Sequence, residues 1–143
     1  MGCGASNQAA EQILSTLREA SIKGQEDIVR MLLRHGVAIN QQDMGGWSAL
    51  MHASYRGHAE IVRLLLDHDA NTNLQDKRGM SALICASEKG HSEIARMLLD
   101  KGAAFDLQGE NGWSALIGAS VHGHRNVAFI LLEKGRYSLL CTE

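Results

Sequence analysis

A chain of 143 residues is long enough for one domain with a buried core. Its formal net charge of −2 excludes the strong positive field that recruits nucleic acid or an anionic membrane. Proline is absent and aromatics make up only 4%, while Leu, Ala, Ile and Gly dominate; this is the composition of closely packed helices.

The chain opens with MGCGAS, which satisfies M-G-x-x-x-[ST]. In that motif Gly2 can be acylated once Met1 is removed, and Cys3 is an adjacent thiol for a second acyl chain. One myristoyl chain holds a protein at a bilayer only marginally, so two anchors are needed. Residues 1–7 are therefore expected to be a flexible, doubly acylated segment that tethers a cytoplasmic protein to the cytosolic face of a membrane. The other cysteines, Cys85 and Cys141, bring the total to an odd three with no C-x-x-C spacing, which reads as free thiols in a reducing compartment. The apolar runs are far shorter than a membrane span.

A first helix is expected from about Gln8, where Gln8, Glu11, Gln12 and Ser15 give it the polar surface of a cap. Beyond it a block recurs. GWSALMHAS at 46–54 returns as GMSALICAS at 79–87 and as GWSALIGAS at 112–120, a spacing of 33 residues. The pairs Gly57-His58, Gly90-His91 and Gly123-His124 keep the same step, and one step back falls on Gly24. The chain thus divides into units 10–42, 43–75, 76–108 and 109–141, all within a repeat domain covering 8–143.

Each unit has the same physical plan, seen most clearly in 43–75. Asp43 to Gly46 makes a turn. Ser48 is an N-cap for a first helix that runs to about Tyr55. Gly57-His58 turns the corner into a second helix over about Ala59 to Asp67, which buries Ile61, Leu65 and Leu66 at helical spacing. Asp69 stands where the other units carry Gly36, Gly102 and Gly135, a left-handed stop. Helices this short do not persist alone, so stacking must bury their apolar faces. Down the stack, Leu17, Leu50, Leu83 and Leu116 form one buried column. Ala20, Ala53, Ala86 and Ala119 form a second; Ile28, Ile61, Ile94 and Val127 form a third. Ser54, Ser87 and Ser120 are read as small residues at tight contacts whose hydroxyls bond back to their own helix. Asp27/Arg30, Glu60/Arg63 and Glu93/Arg96 mark the solvated outer face.

The period of 33 and the pattern G-x-[ST]-x-L-x-x-A-x-x-x-G-H-x-x-I-V-x-x-L-L resemble the ankyrin repeat over nearly the whole chain after residue 8. Where the family usually has Thr-Pro at the start of the first helix, this chain has Ser-Ala, which explains a helical protein with no proline. The resemblance implies an all-α solenoid of helix-turn-helix pairs joined by β-hairpin-like turns. It also implies that His58, His91 and His124 brace the corners, and that the chain is a non-enzymatic module for binding another protein or an extended peptide. No nucleophile motif, phosphate loop or metal-ligand spacing is present, so neither catalytic residues nor a metal or other cofactor is expected.

Partner contacts in the family come from the turn tips and the exposed side of the first helices. Here those positions include Met44, Trp47, Tyr55, Arg56, Lys77, Arg78, Met80, Lys89, Glu110, Asn111, Trp113 and His122. The column Leu14, Trp47, Met80, Trp113 is expected to be a solvent-exposed apolar ridge with tryptophan anchors. The column Lys23, Arg56, Lys89, His122 beside it suggests a partner with acidic or phosphorylated flanks. The alternative to an adaptor is a small inhibitor resembling the four-repeat inhibitors of cyclin-dependent kinases. Those are expected to shorten the first helix of the second repeat, and unit 43–75 carries no such deletion. After Gly135 the repeat pattern gives way to RYSLLCTE, with Asn126 and Phe129 where earlier units have Glu and Arg. Either Tyr137 and Leu139 fold back over Phe129, or the chain is a piece of a longer array or an alternatively ended product; an exposed apolar end predicts weak self-association.

Overall fold

The computed structural model describes the backbone of residues 2–141 and the side chains of residues 8–136. Eight α-helices lie among them: α1 (Gly2–Lys23), α2 (Glu26–Arg34), α3 (Ala49–Arg56), α4 (Ala59–Asp67), α5 (Ala82–Lys89), α6 (Ser92–Asp100), α7 (Ala115–Val121) and α8 (Arg125–Cys141). They form four antiparallel pairs stacked in two layers. The first helices α1, α3, α5 and α7 contact one another in order, and so do α2, α4, α6 and α8. This is the solenoid implied by the repeat.

The expected local devices are in place. Ser48, Ser81 and Ser114 cap α3, α5 and α7, each hydroxyl accepting a bond from the backbone N–H three residues on, at 3.3 Å. Asp43 N–H donates to Trp47 O at 2.9 Å, Asp76 N–H to Met80 O at 2.9 Å and Gly109 N–H to Trp113 O at 2.7 Å, closing three hairpin-like turns. Asp69 takes the left-handed stop at φ 62°, beside Gly36 and Gly102 at 74° and 88°.

The Gly-His corner joins neighbouring units. The ring Nε2 of His58 lies 2.9 Å from Ile22 O, that of His91 3.2 Å from Tyr55 O, and that of His124 2.8 Å from Glu88 O. Each bond reaches 36 residues back, into the preceding unit. The same ring lies on the preceding unit's corner glycine. A Cβ added at Gly57 would meet the His91 ring at 2.6 Å, and one at Gly90 the His124 ring at 2.5 Å. Glycine is therefore required there both for its positive φ and for the space a histidine takes.

The core columns are buried in the inner units: Leu50, Leu83, Ala53, Ala86, Ile61 and Ile94 are all at most 2% exposed. The end units depart from that. Leu116 in the last unit and Ile28 in the first are only half-buried, because each has a neighbour on one side only.

Five further expectations are corrected. α1 begins at Gly2 rather than near Gln8, so residues 2–7 lie within the helix span and not ahead of it. No proline interrupts this stretch, and Gln8, Ala9, Ala10 and Glu11 are good helix formers through which a helix propagates. At the other end, Gly135 does not stop α8, which continues to Cys141. No turn sequence follows Gly135, and its missing side chain leaves room for the Phe105 ring, which an added Cβ would meet at 3.4 Å. The N-terminal end is not a polar cap throughout. Gln8, Glu11, Gln12 and Ser15 are exposed, but so are Ile13 and Met31, beside an apolar groove. Ser54 and Ser87, with Ser21 of the first unit, are fully buried, yet their hydroxyls have no partner; the expected back-bond is not made. Finally, Asp27–Arg30 and Glu60–Arg63 pair along their helices at 3.8 and 3.5 Å, whereas Glu93 pairs across units with Arg63 at 3.6 Å.

Candidate interaction surface

The hairpin turns and first helices form one side of the stack, and the turns are aligned by a side-chain ladder. Gln42 Nε2 donates to Gly46 O of its own turn at 2.7 Å and to Gln75 O of the next unit at 2.9 Å. Gln75 repeats this, donating to Gly79 O at 2.8 Å and to Gln108 O at 3.3 Å. Asn40 and Asn73 do similar work, their Oδ1 atoms accepting from Asn71 N–H and Ala104 N–H at 2.8 Å. Sequence reasoning passed over these residues. The signal was the recurrence of glutamine at 42, 75 and 108 on the repeat spacing. The ladder holds successive turn tips in fixed register, so side chains from different units can face a common ligand.

Between units 43–75, 76–108 and 109–141 lies a cleft of about 410 Å³. It is lined by six of the expected contact residues, Tyr55, Arg78, Met80, Glu110, Asn111 and Trp113, together with Glu88. Glu88 belongs to the same expected contact positions. It holds the position of Tyr55 one unit on, and its Oε1 lies 3.7 Å from His122 Nε2. The remaining expected residues border this cleft or stand apart from it. Lys89 is placed over the Tyr55 ring, its Nζ 4.6 Å from the centroid, a cation–π contact. Arg56 and Lys77 are exposed. Met44 is 90% exposed at its turn tip and borders a separate, smaller hollow of about 270 Å³ next to α1.

The ridge of tryptophans is not solvent-exposed as expected. Leu14, Trp47, Met80 and Trp113 are all half-buried, with Trp47, Met80 and Trp113 packed on the core. Trp47 lies tilted on His52 with centroids 5.0 Å apart and edge-on to Tyr55 at 5.5 Å. A ring this large at the start of a short helix covers the turn below it, and only one flank is left for a partner. Three members of the basic column have partners, and Arg56 is exposed. Lys23 pairs with Glu19 at 3.7 Å, Lys89 is held on Tyr55, and His122 faces Glu88. The cleft itself therefore offers both signs of charge, Arg78 against Glu88 and Glu110, around an apolar floor of Met80 and Trp113.

Charge and burial set the state of two side chains beneath this surface. Burial raises the Asp43 carboxyl, but bonds donated by Trp47 N–H, the His52 ring and Gly45 N–H outweigh it, and the pKa is lowered from 3.8. Those bonds span 2.8, 3.1 and 3.0 Å and tie the turn to α3. Cys85, at the position of His52 one unit on, is fully buried. Burial, then the nearby Asp76 and Glu88 carboxylates, push its thiol up to about 12, so it stays protonated and is no nucleophile. Among the described residues no three His, Cys, Asp or Glu side chains gather as metal ligands. No described helix is long and apolar enough to cross a membrane. Gly2 is the first residue of α1, and the side chain of Cys3, expected to be acylated together with Gly2, lies, like those of Tyr137 and Leu139, outside the described side chains.

A family model described as ankyrin repeats (3 copies) matches residues 5–76 and again 69–139. No curated protein matches the chain.

Proposed function

The chain belongs to the ankyrin repeat family, whose repeats are protein–protein interaction modules, and we propose that it acts as a non-enzymatic adaptor binding an extended segment of another protein in the cleft between its last three units. The observation that carries this reading is the convergence of six expected contact residues, drawn from three units, on that one cleft. Met80 and Trp113 offer a seat for an apolar anchor of the partner, while Arg78 at one turn tip and Glu110 at the next offer charged pairing to its flanks. An adaptor role is favoured over an inhibitor resembling those of cyclin-dependent kinases because α3, at 8 residues, is as long as α5 and is not shortened. The experiment that tests the reading reverses charges at the cleft, with Arg78→Glu/Glu110→Lys, and compares binding with an outer-face control.

We further propose, on the Met1–Ser6 motif, that the adaptor is held at the cytosolic face of a membrane by acyl chains on Gly2 and Cys3. Fluorescently tagged at its C-terminus, the wild type should outline membranes, Cys3→Ser should bind weakly and Gly2→Ala should be diffuse. A diffuse wild type, or an N-terminal peptide with no added acyl mass, contradicts the tether and leaves the cleft proposal untouched.

A further inference from the structure

The last unit exposes faces that the inner units bury. Leu66 and Leu99 are 4% and 6% exposed, but Leu132 at the same repeat position is 57% exposed. Ile84 is 1% exposed and Ile117, one unit on, is 43%. The missing factor is a following unit, since α4 packs on α6 and α6 on α8, and no described helix packs beyond α8. The first unit shows the complementary deficit. Ile61 and Leu65 are fully buried while their counterparts Ile28 and Leu32 are half-buried, and Met31 is 52% exposed. An apolar groove of about 430 Å³ runs beside them between α1 and α2.

We propose that these two ends bind each other in different copies of this chain: the α7–α8 face of one molecule receives the α1–α2 face of a second, head to tail, in the register of the inner units. One inner contact shows how the faces would meet. Arg63 Nη2 of α4 lies 3.9 Å from Met97 Sδ of α6. By the repeat spacing, Arg63 corresponds to Phe129 in the last unit, and Met97 corresponds to Met31 in the first. The joint thus sets Phe129, 64% exposed, on Met31, replacing a cation against a thioether with an aromatic–Met contact. A second inner contact, Lys134 Nζ to Asp100 Oδ1 at 3.6 Å, becomes His35 of one copy facing Glu133 of the other, opposite in charge when the histidine is protonated. The chemistry of the two ends matches because each is one half of a contact that the molecule already makes inside itself.

The joint also lacks two things that the inner contacts have. Gln25 stands where the other units carry the bracing histidine, and Ala9 stands one repeat before Gln42, so the joint has no glutamine with which to continue the ladder. Helix faces alone hold it, so association is weak and depends on concentration. Because the two surfaces differ, the contact is heterologous, and continued in the register of the stack it builds open chains of copies rather than symmetric pairs.

Sedimentation equilibrium on the full chain tests this with Met31→Glu and Phe129→Glu, both at exposed positions, their folding checked by circular dichroism. Wild type should give a concentration-dependent series of species, and each variant alone should be monomeric. An equimolar mixture of the two should form a dimer that grows no further, since each partner retains one intact face. Leu132→Glu stands in for Phe129→Glu, and Ile13→Glu for Met31→Glu, if either fails to fold. A wild type that is monomeric throughout overturns the proposal. So does a mixture that stays monomeric. A Met31→Glu variant that associates as wild type does would show instead that the α7–α8 face pairs with itself, and would overturn it equally.

Discussion

At the scale of single residues, this molecule spends its polar groups on holding turns in place. Asp43 is the clearest case: one carboxylate takes bonds from two backbone N–H groups and a histidine ring, and Arg18 Nη1 comes within 4.0 Å of it. Its folded pKa lies below the unfolded value of 3.8, so its contribution is fully present above about that pH and is lost as the pH falls through the lower folded value. Asp43→Asn should therefore be destabilised near neutral pH, by about 1–3 kcal/mol for a lost charge-assisted set of bonds. The difference from wild type should shrink as the pH drops below about 3.8. Urea melts at neutral pH and near pH 3 check both statements; a gap that widens in acid would contradict the assignment. Asp76 repeats the backbone part of this arrangement with Arg78 N–H and Met80 N–H, but it has Cys85 where Asp43 has His52. In the last unit Gly109 replaces the aspartate altogether. The hydroxyls of Ser21, Ser54 and Ser87 run against this pattern, since all three are buried without a partner.

At the scale of elements, the Gly-His corner decides how one helix pair sits on the next. Gly57 and Gly102 both take positive φ, 83° and 88°, so alanine is strained at either. They differ in surroundings: a Cβ at Gly57 strikes the His91 ring at 2.6 Å, and one at Gly102 meets nothing within 4 Å. Gly57→Ala should cost more stability than Gly102→Ala, about 1–3 kcal/mol of overpacking beyond the shared backbone strain. Paired thermal melts read the difference; equal losses would mean that the histidine ring moves aside freely. The inner elements were legible in the sequence because three aligned copies show Ser at the cap, Gly-His at the corner and Leu or Ile in the core at one spacing. The ends were not. How far α1 and α8 run depends on the absence of a breaker, and repeat logic says nothing about residues that have no counterpart in the other copies. Gly135 looked like Gly36 and Gly102 because it shares their position, but a glycine stops a helix only when the chain after it turns away.

At the scale of the whole molecule, the stack turns four short helix pairs into one surface, and the glutamine ladder sets the spacing of its turn tips. Six of the residues expected at the turn tips and first helices line a single cleft, so their shared side of the stack was readable. Its character was not. Trp47 and Trp113 were expected to stand out as a ridge and are half-buried, because sequence shows which side a residue takes but not how far a large ring lies down on its own turn. The charge of the cleft was not readable either, because one repeat position holds Ile22, Tyr55, Glu88 and Val121 in turn, and no single chemistry runs down that column. The most direct test of the central claim compares the proteins captured from a cytosolic extract by wild type, by the cleft variant Arg78→Glu/Glu110→Lys and by the outer-face variant Asp67→Lys/Arg96→Glu. All four side chains are exposed, so each protein should fold, with circular dichroism as the check. The account predicts that a specific partner held by wild type is lost at least about tenfold from the cleft variant, the effect of removing more than about 1.4 kcal/mol of binding, and is retained by the outer-face variant. Equal capture by the cleft variant, or a loss confined to the outer-face variant, would contradict it.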